Sequence, residues 1–208
     1  MRIIECEQGT PEWRSARLAI PTASKFGNIL TPTGKASTQA AGYRLKLLAE
    51  WLMGQPAEER VTEWMERGAQ MESEARAWWE METGETVTQV GFCLHDDGHY
   101  GCSPDGLFAD CGIEIKCPAP HTHVGYLLGG KLPNDYIPQV QGSMLVTGMA
   151  AWHFVSYHPD MPPLRVRVER DEKYLASLAD ALGQFVHDLA RDKRALLERG
   201  FNPMDKAA

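Results

Sequence analysis

This chain of 208 residues lacks a long apolar run and contains only five cysteines. No stretch of about 18 consecutive apolar residues occurs, so we expect no membrane span. The segment from Met1 to Cys6 carries neither the apolar core nor the cleavage site of a signal peptide, so we expect a cytoplasmic protein. The cysteines are odd in number and have no CxxC spacing, which argues against a disulfide framework and a zinc ribbon.

A soft-metal site is also disfavoured. Cys111, Cys117, His121 and His123 are the residues that would form it. Two of them interleave with a predicted strand that carries a different set of charged residues. We therefore interpret the thiols as buried or idle.

The chain lacks a basic excess, because 28 acidic residues outnumber 21 basic ones and the net charge is −7. Phosphate contacts dominate affinity for nucleic acids, so this charge is unexpected for a DNA-handling protein. Net charge does not exclude a local basic groove, however. Many of the acids fall in helices predicted at 58–85 and 169–198, leaving a basic N-terminal stretch made of Arg14, Arg17, Lys25, Lys35, Arg44 and Lys46.

Neither an internal repeat nor a low-complexity tract is present, and an apolar content of 43% suits one compact domain over residues 1–208. Capping residues and apolar periodicity predict helices over 10–18, 22–31, 38–53, 61–83, 138–147 and 171–200. Alternation and turn signals predict strands over 87–94, 100–103 continuing into 106–109, 112–117, 152–157 and 164–169. The first three strands are expected to form a meander, so the fold class is mixed α/β with an antiparallel start.

Two predicted helices carry apolar stripes. The stripe of the helix over 61–83 consists of Trp64, Gly68, Met71, Ala75 and Trp78. The stripe of the last helix consists of Leu175, Leu178, Leu182, Phe185, Leu189 and Leu196. Both helices are therefore expected to pack one face on a sheet or on other helices.

Charged residues cluster at the ends of two predicted strands. Asp105 lies in Ser103-Pro104-Asp105-Gly106, and the next strand contains Glu114-Ile115-Lys116. Because strand side chains alternate between faces, Glu114 and Lys116 point the same way. Two adjacent carboxylates repel each other and so favour a hard divalent cation such as Mg²⁺ between them. The lysine adds positive charge where water attacks a phosphodiester; the alternative is a strand pair with a surface ion pair.

A further acid, Glu72, lies on the shoulder of the apolar stripe of the helix over 61–83. At roughly 100° per residue, it lies about 60° from the centre of that stripe, where a carboxylate can reach a cleft. The alternative is a solvated glutamate that pairs with Arg76 one turn later. Spacing alone favours the second interpretation.

Several stretches together resemble one family. They are Gln8-Gly9-Thr10-x-x-Trp13, Arg17-Leu18-x-x-x-Thr22-Ala23-Ser24, Gly68-x-x-x-Glu72, Cys102-Ser103-Pro104-Asp105-Gly106, Glu114-x-Lys116-Cys117-Pro118, Gln139-Val140-Gln141-x-Ser143-Met144 and Glu169-Arg170-Asp171-Glu172-Lys173-Tyr174. In this order they resemble the YqaJ-like viral recombinases, the family of lambda-phage-type alkaline exonucleases.

The resemblance implies a restriction-endonuclease-like PD-(D/E)xK core, a mixed central sheet flanked by helices. It implies digestion of the 5′-ended strand of linear double-stranded DNA with Mg²⁺, or Mn²⁺ as a substitute. The 3′ overhang would serve a single-strand annealing protein in phage-type recombination. A homotrimer, encoded by a phage or prophage in a bacterial host, is also implied.

The resemblance also implies roles for individual residues. Asp105 and Glu114 match metal-binding carboxylates, the carbonyl of Ile115 and the carboxylate of Glu72 complete that set, and Lys116 orients or activates water. The positions associated with gripping a 5′-phosphate are Arg17, Ser24, Ser103 and Gln139, with Tyr136 close by. Taken singly, the first four have ordinary alternatives, such as a surface arginine, a helix cap or a turn-shaping serine.

The region 31–60 matches the family poorly, so the residues that separate the strands of a duplex end are not predicted. Lys35, Arg44 and Lys46 are candidates there for contacts that track along DNA. Two other functions stay open, an endonuclease of the same core fold and a catalytically idle DNA-binding module. The idle module is disfavoured because all four residues of the charged set are present, namely Glu72, Asp105, Glu114 and Lys116.

Overall fold

The computed structural model describes residues 1–56 and 63–204. Its α-helices span Pro11–Ala16 (α1), Ala40–Met53 (α2), Glu63–Thr83 (α3), Pro120–Gly129 (α4), Ile137–Thr147 (α5) and Glu172–Glu198 (α6). Short 3₁₀ helices span Ala23–Asn28 and Asn134–Tyr136. The strands span Arg2–Ile4 (β1), Phe92–Leu94 (β2), Gly101–Cys102 (β3), Gly106–Phe108 (β4), Cys111–Lys116 (β5), Ala151–His158 (β6) and Met161–Glu169 (β7). The predicted mixed α/β class is confirmed.

The larger sheet is mixed and has the strand order β4-β5-β6-β7. Its β5 and β6 pair in parallel, whereas β4 with β5 and β6 with β7 pair antiparallel. A parallel pair requires a crossover connection, which here contains α4, a 3₁₀ helix and α5. This crossover carries α5 back past the end of β5, where the predicted charged set lies.

The antiparallel pairings of the predicted three-stranded meander are confirmed, but the prediction of one continuous sheet is wrong. Its middle strand breaks at Pro104, as expected, but the two halves lie in different sheets. β3 joins a three-stranded antiparallel sheet with β2 and β1, whereas β4 pairs with β5. The turn between β3 and β4 therefore connects two sheets, and Asp105 lies in that turn.

Two elements were not predicted. β1 consists of three residues and pairs with β2 across the N-terminal sheet. α4 contains two glycines and several residues of low helix propensity, so its sequence gives little local signal. The strand predicted over 87–94 is shorter in the structure, because β2 begins only at Phe92. Thr88 forms an isolated bridge to Leu107.

Capping residues predicted most helix ends correctly. The side chain of Thr10 accepts a hydrogen bond from the Trp13 amide (3.3 Å), and Asp171 accepts one from the Tyr174 amide (3.0 Å). Gly54 ends α2 with a left-handed φ of 60°. The predicted apolar face of α6 is buried, with Leu196 only partly so.

Two apolar clusters lie on opposite faces of the larger sheet. Ile113 and Ile115 of β5 pack in the first cluster, to which α3 also contributes residues. Glu114 projects from the other face of the sheet. Trp152 packs in the second cluster with residues of α2, α5 and α6. Alternation along β5 thus directs its charged residues towards the side occupied by α5.

The stripe of α3 is confirmed at Met71, Ala75 and Trp78, which pack in its cluster. The most buried tryptophan of that cluster is however Trp79, which the prediction omitted. The predicted helix start at Val61 and the side chain of Trp64 lie outside the described residues. Among the helices that the structure describes, none combines the length and apolarity needed to cross a bilayer.

A fully buried histidine, His123, joins α4 to the β6–β7 hairpin. Its Nε2 lies 3.0 Å from the carbonyl oxygen of Pro162, and its Nδ1 lies 2.7 Å from Ser156 Oγ. A carbonyl oxygen only accepts, so Nε2 donates to Pro162, and in the tautomer without a proton on Nδ1 the serine hydroxyl donates to Nδ1. One side chain therefore satisfies two polar groups of the hairpin, of which the Ser156 hydroxyl is buried.

We predict that His123→Phe lowers the free energy of unfolding by about 2 kcal/mol, because the Pro162 carbonyl and the Ser156 hydroxyl both lose a buried partner. Urea denaturation measures this change. His121→Ala, at an exposed position of the same helix, is the matched control and should shift the midpoint little. Equal midpoints for wild type and His123→Phe would contradict the assignment of His123 as a structural bridge.

Candidate active site

Asp105 is held against β5 by two hydrogen bonds. Its Oδ2 accepts from the amide of Ile115 (2.6 Å), and its own amide donates to the carbonyl of Ile113 (3.2 Å). The first of these amides lies between Glu114 and Lys116 in sequence. The turn that carries Asp105 is therefore fixed to the strand that carries the other two charged residues.

Glu114 and Lys116 form an ion pair on one face of β5, as alternation predicts. Gln139, in the first turns of α5, donates from Nε2 to Glu114 Oε1 (2.6 Å). The Glu114 side chain is buried, whereas 28% of the Lys116 side chain is exposed. The ammonium group can thus reach both the carboxylate and an incoming molecule.

The predicted pairing of Glu72 with Arg76 is confirmed, whereas its placement in a cleft stays a prediction. Glu72 accepts a hydrogen bond from Arg76 Nη2 (2.6 Å), which is the predicted pair one turn along α3. Burial raises the pKa of Glu72, the charge of Arg76 opposes this shift, and the charge of Glu114 adds to it. Arg76 also donates from Nε to the Asp105 carbonyl (3.2 Å), so it holds Glu72 near the Asp105 turn.

The acids crowd one another. Burial, followed by the charges of Glu114 and Glu72, raises the pKa of Asp105 well above its ordinary value. For Lys116, burial alone lowers the pKa, but the charges of Glu114 and Asp105 outweigh it, and the net shift is upward. Hard carboxylate oxygens that repel one another suit a divalent cation of the Mg²⁺ type.

The donor set therefore fits such a cation, with Asp105 and Glu114 as the carboxylates nearest β5. In the described part of the chain, no three acidic, histidine or cysteine side chains already adopt a metal-binding arrangement. The contacts explain this, because Glu114 turns to Lys116 and Gln139, and Glu72 turns to Arg76. Ile115 is buried on the opposite face of the sheet and offers only its backbone to this side.

A cavity of about 180 Å³ opens beside the carboxylates. It is lined by Gln8, Trp13, Arg17, Thr22, Ala23, Ser24, Cys102, Ser103, Asp105, Glu114, Lys116, Gln139 and Ser143. All four of the main predicted phosphate-binding residues are therefore in its wall. Tyr136 and Glu72 are not, although the ring centroid of Tyr136 lies 5.4 Å from Lys116 Nζ.

A close helix contact forms one side of this cavity. The ring of Phe26, in the first 3₁₀ helix, lies against Gly142 of α5, where a Cβ atom would collide with it. The absence of a side chain at Gly142 lets the two helices approach closely. Ser24 and Gln139, which lie on these two helices, consequently line the same cavity.

Sequence reasoning assigned no role to two residues that organise the cavity. Trp13 donates from Nε1 to Ser103 Oγ (2.9 Å), and the guanidinium carbon of Arg17 lies 3.9 Å from its ring centroid. Gln8 donates from Nε2 to the carbonyls of Val90 (2.9 Å) and Pro104 (2.8 Å). Both residues belong to the motif Gln8-Gly9-Thr10-x-x-Trp13, which was the signal that pointed to them.

Arg44 does not act as an unengaged basic residue. Its Nε lies 2.7 Å from Asp192 Oδ2 and its Nη1 lies 3.9 Å from Asp188 Oδ2, both on α6. It therefore links α2 to α6, which weakens its candidacy for tracking along DNA. Lys35 and Lys46 are exposed.

Residues 12–150 match the family model described as the YqaJ-like viral recombinase domain. The alkaline exonuclease LHK-Exo from Laribacter hongkongensis is 35% identical, with a TM-score of 0.84 over 92% of this chain and 98% of that chain. Its complex with dAMP has the same identity and coverage, with a TM-score of 0.83. This similarity confirms the predicted restriction-endonuclease-like fold.

Two further comparisons are weaker. A phage-related exonuclease from Haemophilus somnus 129PT shares the fold, with 14% identity and a TM-score of 0.63 over 83% of this chain and 96% of that chain. The Escherichia coli (strain K12) protein ExoD is 37% identical over 81 residues, which are 36% of this chain and 90% of its own length.

The crowding of acids generates a stability prediction. Folding raises the pKa of Asp105, so this carboxyl destabilises the folded state once it must ionise. The destabilisation grows as pH rises from the ordinary carboxyl range towards the raised pKa, and it is complete above the raised pKa. We expect Asp105→Asn to raise the free energy of unfolding by about 1 kcal/mol in chelator-treated, mildly alkaline buffer. The asparagine carbonyl can still accept from Ile115.

Thermal denaturation over a pH series measures this effect. Asp180→Asn removes one exposed carboxylate from α6 and serves as the matched control, with little expected change. The gain for Asp105→Asn should shrink as pH falls into the carboxyl range. A variant that is less stable than wild type at every pH would show that Asp105 is not under repulsion.

Proposed function

The chain belongs to the YqaJ-like viral recombinase family, and on this premise we propose that it is a Mg²⁺-dependent 5′→3′ exodeoxyribonuclease. Its substrate would be a linear double-stranded DNA end, from which it removes the 5′-terminated strand. The 3′ overhang left behind would enter recombination by strand annealing.

The observation that carries this proposal is the composition of a single cavity wall. Asp105, Glu114 and Lys116 lie on one side, and Arg17 and Ser24 line the same cavity. The first group suits hydrolysis of a phosphodiester, and the second suits a terminal phosphate. The 35% identity to an alkaline exonuclease over 92% of the chain supports the hydrolase class.

Asp105 and Glu114 would hold the divalent cation, with the Ile115 carbonyl and Glu72 completing the set. When bound, Mg²⁺ (or Mn²⁺ in its place) supplies Lewis-acid activation of water and neutralises charge on the phosphate. The carboxylates are already fixed in place, Asp105 by the Ile115 amide and Glu114 by Gln139. Little rearrangement of the backbone is then needed for binding.

Lys116 would orient the attacking water and stabilise the negative charge that develops on the phosphate. Its Nζ pairs with Glu114 and lies 5.4 Å from the ring centroid of Tyr136. Two neighbours therefore define the direction of the ammonium group. An ammonium group has three donors and no acceptor, so in this state it acts through hydrogen bonds and charge.

The terminal phosphate would bind Arg17, Ser24, Ser103 and Gln139. A guanidinium group offers paired donors that match phosphate oxygens, and hydroxyls add short hydrogen bonds. Arg17 stacks on Trp13, which in turn donates to Ser103, so these groups hold one another in position. This arrangement favours a chain end over the interior of a strand.

Several wider features belong to the same proposal. They are a homotrimer, an annealing-protein partner, a phage or prophage origin, and a cytoplasmic site of action in a bacterial host. A ring-shaped trimer would retain DNA topologically, which is consistent with a net charge of −7.

End dependence separates the proposed exonuclease from an endonuclease of the same fold. With Mg²⁺ present, we expect 5′-phosphorylated linear duplex to be degraded to single-stranded product, while covalently closed circles of the same sequence stay intact. Gel analysis with label at either the 5′ or the 3′ end also reports polarity. Cleavage of closed circles would favour the endonuclease, and binding to linear duplex without degradation would favour the idle module.

The role of Lys116 is tested by Lys116→Ala. We expect the variant to retain affinity for linear duplex and to lose roughly 100-fold or more of its cleavage rate, because stabilisation of developing charge is lost. Single-turnover digestion and a gel-shift assay measure the two quantities. Lys193→Ala, a change on α6 remote from the cavity, is the control; unchanged cleavage by Lys116→Ala would refute the assigned role.

A further inference from the structure

Arg76 connects three separate segments beneath the acidic cluster. Its Nη2 donates to Glu72 Oε1 (2.6 Å) on its own helix, and its Nε donates to the backbone carbonyl of Asp105 (3.2 Å). With the Gln89 amide assigned from its hydrogen-bond network, the carbonyl oxygen of Gln89 accepts from Arg76 Nη1 (2.7 Å) and Nη2 (3.0 Å). All three nitrogens of the guanidinium group are therefore engaged.

This arrangement differs from an ordinary surface pair on a helix. Only 11% of the Arg76 side chain is exposed, compared with 34% of Glu72. An exposed i,i+4 pair contributes little, because water and salt screen it. Arg76 instead contacts the backbone of Asp105 and the side chain of Glu72. The carbonyl oxygen of the exposed Gln89 accepts from its Nη1 and Nη2.

We propose that Arg76 is a positioning residue that sets the distance between Glu72 and the Asp105 turn, and so assembles the divalent-cation site. The proposal rests on the function proposed above. Arg76 does not itself line the cavity, so it acts through Glu72 and Asp105. The guanidinium group bonds one oxygen of Glu72 and leaves the other for a cation.

The geometry requires an arginine at this position. A planar fork donates in several directions at once, and here it contacts Glu72, Gln89 and the Asp105 carbonyl together. A lysine preserves the charge but is a single point donor on a flexible chain. Arg76→Lys therefore removes the positioning while keeping the electrostatic attraction to Glu72.

The test is a double-mutant cycle on metal affinity. Binding of Mn²⁺ is measured by calorimetry in wild type, Arg76→Lys, Glu72→Gln and the double variant. We expect Arg76→Lys to weaken Mn²⁺ binding by ~10-fold, the scale of changes in groups that orient metal ligands. In the Glu72→Gln background the same change should weaken binding less than about 2-fold, because the group through which Arg76 acts is absent.

The control is Arg165→Lys. It alters an exposed pair between Arg165 of β7 and Glu82 of α3, the helix that carries Arg76, and should leave Mn²⁺ affinity unchanged. Equal affinities of wild type and Arg76→Lys, or a full Arg76→Lys effect without Glu72, would overturn the proposal. Arg76→Gln is the second variant if Arg76→Lys does not fold, with the same expected dependence on Glu72. Failure of both to fold would make Arg76 a purely structural residue.

The outcome is separable from the proposed function. Wild type is first assayed for Mn²⁺ binding and for digestion of linear duplex. Absence of both would reject the nuclease assignment itself. Where wild type binds and cleaves, the cycle decides the role of Arg76 alone.

Discussion

The hydrogen bond from the Ile115 amide to the Asp105 carboxylate fixes the geometry on which the rest of the site depends. Asp105 lies at the break between two sheets, whereas Glu114 and Lys116 lie on a regular strand. Chain connectivity alone does not bring these residues together. The turn is clamped to β5 at its amide and its carboxylate, so the two sheets meet at a defined distance.

Each acid of the cluster has its own compensating donor. Asp105 has the Ile115 amide, Glu114 has Lys116 and Gln139, and Glu72 has Arg76. The compensation is incomplete, because the pKa of Asp105 still lies well above its ordinary value. Under the proposed function, a site that keeps repelling carboxylates together would sacrifice stability for the ability to bind a cation, as functional sites commonly do.

Local patterns predicted the parts of the molecule that local physics determines. Alternation placed Glu114 and Lys116 on one face of β5, and the Asp171 cap and apolar spacing gave α6. Tertiary packing decided the rest. α4 has poor helix propensity and is held from outside by the His123 bridge, and the two halves around Pro104 diverge because each finds a different partner strand.

For Glu72 the two sequence interpretations were treated as exclusive, yet the confirmed pair with Arg76 still leaves Glu72 linked to the Asp105 turn. The spacing to Arg76 predicted the pair correctly but not its burial, since burial comes from Gln89 and the Asp105 turn, which are remote in sequence. Trp13 and Gln8 went unassigned for a related reason. Their importance lies in single hydrogen bonds to Ser103 and Pro104, about 90 residues away, which no periodicity records.

Net charge and site charge are separate quantities in this molecule. The chain carries −7, but the cavity wall contains Arg17 and Lys116 together with two carboxylates that a bound cation would neutralise. Under the proposed function, Gln139 lies between the carboxylates and the terminal phosphate, since it donates to Glu114 and also lines the cavity in which the phosphate would bind. Ser103 occupies the equivalent position beside Asp105, bonded to Trp13. Under the proposed function, recognition of an end and hydrolysis would share residues, so a misplaced phosphate would disturb the carboxylates themselves.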